Sequence, residues 1–147
     1  MDKTSALSLS NQMCFAVYST AHALNRVYKP LLDPLGLTYP QYLVMLVLWE
    51  ADGLTVKEIG QRLRLDSGTL TPLLKRLQAA GLVRRERDAG DERQVRIGLT
   101  VKGEALRKKA EAVPHGLLGA TGCTLEEVQA LKAELTRLRD QLDKTST

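Results

Sequence analysis

Its 147 residues suffice for one domain, or for one small module with an attached association layer, but not for two independent domains. An apolar share of 44% and a charged share of 26% exclude wholesale disorder, and a formal net charge of +4 leaves nucleic acid open as a partner. The longest apolar run, Leu43 to Trp49, is too short to span a bilayer, and no basic segment with an apolar stretch and cleavage site opens the chain, so a cytoplasmic protein without a membrane partner is expected.

The first helix is expected from a cap at Ser8 or Ser10 to about Lys29. Apolar and small residues recur through Leu9, Met13, Val17, Ala21, Leu24 and Val27, and Pro30 and Pro34 halt it. After a turn at Gly36, Thr38 and Gln41 have capping-box spacing and Pro40 suits a first turn. A very apolar helix continues from there through Trp49, ending near Gly53 as buried core. Thr55 and Glu58 repeat that spacing ahead of a short helix with Val56, Ile59 and Leu63 on one face. A tight turn at Arg64 to Asp66 leads into a helix that opens with Asp66-Ser67-Gly68-Thr69, continues through Leu70, Leu73, Leu74 and Leu77, and is capped by Gly81. Two short helices so joined suggest helix-turn-helix, although Pro72 removes a backbone donor and leaves the start of the second helix open.

Leu82 to Glu86 and Val95 to Leu99 then read as two strands around a polar loop, Arg87 to Arg93, which makes a wing. Thr100 caps a helix running towards Pro114, and His115 to Cys123 reads as a loose stretch with three glycines. Thr124 and Glu127 form a third capping box, followed by Leu125, Val128, Leu131, Leu135, Leu138 and Leu142 at spacings of three and four, a stripe that wants another helix against it. The expected fold is therefore mainly α with a small β-hairpin wing. It forms a single domain over 1–147, with a winged helix-turn-helix at about 38–100 and dimerisation helices at about 1–36 and 101–147.

The charge is concentrated in the middle of that plan. From Lys57 to Arg87, eight Lys/Arg stand against three acids, a net +5 that leaves −1 for the rest. Such a block is the footprint of a nucleic-acid-binding element, though a solvated face has the same composition. A recognition helix needs small hydrogen-bonding side chains near its N-terminus and cations farther along. Ser67, Thr69 and Thr71, then Lys75 and Arg76, meet that need in order, with Arg85 on the following strand. Capping and solvent exposure are the bland alternative for each of them.

The order of elements, together with Asp91-Glu92-Arg93-Gln94-Val95-Arg96 and Leu99-Thr100-Val101-Lys102-Gly103, resembles the MarR family of winged-helix regulators over nearly the whole chain. The resemblance implies that Asp91 orients Arg93 and that Arg93 enters the minor groove, where a narrow groove attracts cations. Three further stretches, Asn11 to Tyr18, Tyr28 to Asp33 and Leu37 to Tyr42, resemble the organic-hydroperoxide-sensing, OhrR-type branch. That likeness implies that Cys14 is the peroxide-reactive thiol and that Tyr28 and Tyr39 hydrogen-bond its thiolate. It also implies, on a looser local match, that Cys123 resolves the oxidised sulfur from the other subunit.

Helix geometry constrains this arrangement. Fourteen residues separate Cys14 from Tyr28, about 21 Å along one axis, so any contact must come from a partner with antiparallel first helices in an isologous dimer. Tyr18, one turn from Cys14, can reach it in cis. The competing reading makes Cys14 a small buried hydrophobe and Cys123 a staple against Val128 beside the Thr124 cap. His22 and His115 have no partner at metal spacing; neither metal nor other cofactor is expected.

The sequence therefore points to a homodimeric repressor, not an enzyme. It is expected to hold a pseudo-palindromic operator while Cys14 is reduced and to leave it when organic hydroperoxide oxidises Cys14. Two rivals stay open: a repressor released by a non-covalent phenolic ligand, and a thiol peroxidase, which the absence of a paired peroxidatic motif and of a βαβ pattern disfavours.

Overall fold

The computed structural model describes residues 5–146. After two short 3-10 turns, helix α1 spans Met13–Leu32, followed by a 3-10 turn at Asp33–Leu35, α2 at Tyr39–Glu50, strand β1 at Leu54–Thr55, and α3 at Val56–Leu63. Helix α4 covers Ser67–Ala79, β2 Val83–Arg87, β3 Val95–Leu99, α5 Val101–Ala110, α6 Ala112–Thr121 and α7 Leu125–Thr145. The sheet is antiparallel in the order β1-β3-β2, so the wing hairpin is extended by a third strand that pairs Leu54 with Ile97.

Local signals fix most helix starts. Both halves of the capping box form at Thr38/Gln41 and at Thr124/Glu127. Thr55 accepts from the Glu58 N–H and Asp66 from the Thr69 N–H, the latter at 2.7 Å. Helix α2 runs through the centre of the core: Val44, Met45 and Leu48 are fully buried, together with Ile59 of α3, Leu70 of α4 and Ile97 of β3. That packing places α3, α4 and the wing around one apolar centre and turns their polar faces outward together. Among the described residues no single helix is long and apolar enough to cross a membrane.

Several boundaries differ from expectation. Neither Ser8 nor Ser10 caps α1, whose N-cap is Gln12 with no side-chain bond to the helix; the two serine hydroxyls meet each other at 2.9 Å. Pro30 lies inside α1 instead of halting it, because one lost ladder bond in a final turn is tolerated when Asp33 still donates to the Lys29 carbonyl. Helix α2 ends at Glu50 rather than near Gly53. Pro72 sits within α4, which nonetheless begins directly after Asp66, and the left-handed Gly81 lies one residue beyond the Ala80 cap. The first wing strand is shifted by one residue to Val83–Arg87, and β1 had no sequence signal, being two residues long.

The largest correction concerns residues 115–123. A break at Glu111 ends the helix that begins after Thr100, and α6 occupies most of the stretch expected to be loose. Its Gly116 is not a breaker: a Cβ there would lie 2.6 Å from Leu31 Cδ2, so the glycine permits close approach of α6 to α1. Gly122, at φ 67°, supplies the left-handed C-cap.

Candidate DNA interface and thiol face

An open groove of about 660 Å³ runs between α3, α4 and the wing. Ser67 and Thr71 of α4 line it together with Arg85 of β2 and Arg93 of the wing loop, so four of the residues expected to read DNA share one surface. Thr69, Lys75 and Arg76 are exposed on α4 but do not line the groove. Asp66 caps that helix, and the Thr69 backbone N–H, then its side chain, hold its carboxyl below the usual carboxylate range. The groove also gathers Lys57, Gln61, Arg64 and Gln94, which the sequence pattern did not mark as site residues. Lys57 and Arg64 belong to the basic block, and that was the only signal that could have found them.

The wing loop is braced from both sides. Arg93 lies against Asp91, whose carboxyl is held low by the guanidinium and then by the Arg93 backbone N–H. Arg96 Nε donates to Asp88 Oδ1 at 2.7 Å while its Nη1 donates to the Gly53 carbonyl at 2.8 Å, tying the hairpin to the β1 side of the sheet. The Leu99 N–H donates to Asp52 Oδ1 at 2.8 Å. Below the wing, Trp49 Nε1 donates to the buried Gly103 carbonyl at 2.9 Å. These bonds make the hairpin a fixed projection beside α4, with Arg85 and Arg93 on its groove side.

The second region is an apolar face without an intrachain partner. Met13, Phe15, Val17 and Tyr18 of α1 are exposed, α7 has no buried residue, and Leu125, Leu131, Leu135 and Leu142 stand open along it. Cys14 is exposed on the first turn of α1. Tyr28 sits on the same continuous helix, so helix rise alone separates the two by about 21 Å and excludes contact within one chain. Its ring packs instead on Tyr39, with centroids 4.6 Å apart, and on Tyr42 at 6.1 Å. Burial, then the neighbouring phenols, pushes Tyr28 up to about 12, and burial also raises Tyr42. Tyr28 thus remains a protonated hydrogen-bond donor at neutral pH. Tyr28 and Tyr39, with Asn25, Leu32 and Thr38, border a cavity of about 370 Å³.

Tyr18 packs its ring on His22, centroids 4.4 Å apart, and both are exposed. His115 is exposed as well. Cys123 is a half-buried free thiol just before the α7 cap, with its N–H donating to Thr121 Oγ1 at 3.2 Å and its Sγ 3.5 Å from the Thr121 carbonyl.

A helix-turn-helix beside a braced cationic hairpin, together with helices that keep open apolar faces, defines a winged-helix DNA-binding protein. Comparison with known proteins narrows the class. The pattern of the family described as transcriptional regulator SarA/Rot matches residues 26–112. The chain is 62% identical to the HTH-type transcriptional regulator TtmR of Methylorubrum extorquens over 92% of its own length and 69% of that protein's. It is 46% identical to the organic hydroperoxide resistance transcriptional regulator of Bacillus subtilis, over 96% of both chains. Reduced AbfR bound to DNA superposes with a TM-score of 0.76 at 38% identity, covering 96% of this chain and 99% of that one. AbfR, from Staphylococcus epidermidis, has also been solved overoxidized on DNA and with a disulfide formed. The chain belongs to the MarR-like SarA/Rot family of winged-helix transcriptional regulators. Its relatives are named as regulators, not enzymes.

Proposed function

We propose that this regulator is a homodimeric repressor that holds a pseudo-palindromic operator while Cys14 is reduced and leaves it when Cys14 is oxidised by an organic hydroperoxide. One observation carries the reading: a thiol exposed on an apolar, unpartnered helix face lies on the same α1 as a protonated tyrosine too distant to serve it in cis. An isologous pairing with antiparallel α1 helices brings each thiol to the other subunit's Tyr28 and Tyr39, whose hydroxyls then favour the thiolate. The name of the Bacillus relative and the reduced and oxidised states of AbfR support the same chemistry.

In the reaction the Cys14 thiolate attacks the peroxide. An S–O bond forms as the O–O bond breaks, the sulfur loses two electrons to become a sulfenic acid, and the alkoxide leaves as an alcohol after taking a proton. The bulkier sulfur disturbs the helices at the dimer contact and so the spacing of the two α4 helices. On DNA, Ser67, Thr69 and Thr71 approach base edges, Lys75, Arg76 and Arg85 meet phosphates, and Arg93, oriented by Asp91, enters the minor groove.

The test is to titrate labelled promoter DNA with reduced and with hydroperoxide-treated protein, beside Cys14→Ser. Release of DNA by the treated parent and retention by Cys14→Ser is the expected result. The cavity beside Tyr28 and Tyr39 favours one second reading, a phenolic ligand bound without covalent change. A Cys14→Ser protein that still releases DNA on the signal selects that reading instead.

A further inference from the structure

Arg64 occupies an unusual place. It is the one described non-glycine residue with positive φ, 60°, at the turn between α3 and α4 where Gly or Asn fits with less strain. Its side chain lines the groove between α3, α4 and the wing. Its Nη1 also donates to Asp143 Oδ2, 79 residues away near the end of α7. Asp143, and at longer range Asp140, stabilise the charged guanidinium there. Within one chain α7 buries none of its residues, and this ion pair ties its end to the reading module.

We propose that Arg64 is a shared cation: α7 holds it through Asp143 when DNA is absent, and a DNA phosphate takes it when the groove is filled. The inference rests on the groove being the DNA interface. The competition is workable because the Arg64 and Asp143 side chains are 50% and 52% exposed, so the pair is weak and readily exchanged. A phosphate offers the same guanidinium a bidentate, charge-assisted contact and releases a counterion as well. DNA binding and release of the α7 terminus are then one event, and any partner or interface that fixes that terminus sets the affinity for DNA.

The experiment measures fluorescence anisotropy with a labelled mixed-sequence duplex of about three helical turns, using full-length protein. Asp143→Asn should tighten binding by about two- to fivefold, since the phosphate no longer competes with a carboxylate. Arg64→Gln should weaken binding and lower the salt slope by about one unit. In the Arg64→Gln background, Asp143→Asn should have almost no effect. An equal gain from Asp143→Asn in both backgrounds would show long-range charge and overturn the proposal, as would no gain with Arg64 present. Arg93→Ala separates the failures. If it weakens binding while Asp143→Asn does nothing, only the shared cation falls; if Arg93→Ala also binds like the parent, the groove reading falls with it.

Discussion

Arg93 turns back onto Asp91 at the tip of the wing: Nε and Nη2 donate to Oδ1 and Oδ2 at 3.1 and 3.3 Å, while the arginine side chain remains 90% exposed. An exposed ion pair of this kind adds little to stability, so its effect is to narrow the directions in which the guanidinium points. Arg93→Ala should weaken DNA binding and lower the salt slope by about one unit with an unchanged melting temperature. Affinity and slope equal to the parent's would remove the wing from the interface.

The buried bond from Trp49 to the Gly103 carbonyl links α2 to α5 behind the sheet. Trp49→Phe removes that bond while the helical Arg107 N–H still serves the carbonyl, and should cost about 0.5–1.5 kcal/mol in denaturant unfolding. Gly103→Ala should cost more, because its Cβ would sit 2.1 Å from the Leu82 backbone oxygen. An unfolding midpoint within error of the parent for Gly103→Ala would refute the close approach.

On the proposed pairing, in which each phenol donates to the other subunit's Cys14 sulfur, Tyr28→Phe and Tyr39→Phe should leave DNA binding by reduced protein largely intact and slow its inactivation by hydroperoxide. Oxidation rates matching the parent's in both variants would end that role.

Tyr28 also predicts an alkaline signature. Its phenol is raised from 10.0 to about 12 in the folded chain, so its contribution to stability is complete below pH 10 and disappears as pH climbs towards 12. Unfolding curves should therefore show a steeper loss over that window in the parent than in Tyr28→Phe. Parallel losses would mean that the phenol ionises as readily folded as unfolded.

Cys123 is a half-buried free thiol that precedes the α7 cap, and left-handed Gly122 adjoins it. We expect that after hydroperoxide treatment its thiolate attacks the Cys14 sulfenic sulfur of the other subunit, expelling hydroxide and forming a disulfide once the Cα atoms come within roughly 7 Å. A non-reducing gel should show a covalent dimer in the parent and none in Cys123→Ser. A parent that stays monomeric on the gel while leaving DNA would make Cys123 structural.

Sequence alone determined the features that depend on neighbours in the chain. Thr38/Gln41 and Thr124/Glu127 close their capping boxes within a single helical turn, and the apolar spacing of α3, α4 and α7 assigns each a face, so the helix-turn-helix and most of the wing were legible. The tertiary structure decided what depends on distant partners. Gly116 has the same local signature as a chain breaker and as a site of close packing, and only Leu31 of α1 distinguishes the two. Two-residue β1 exists because Ile97 is there to pair with Leu54. Lys57 and Arg64 join Arg93 in one groove only because Val44, Met45 and Leu48 of α2 draw α3, α4 and the sheet around one core. Capping and periodicity are short-range hydrogen bonding and burial that the chain encodes position by position, whereas these juxtapositions are products of packing across tens of residues.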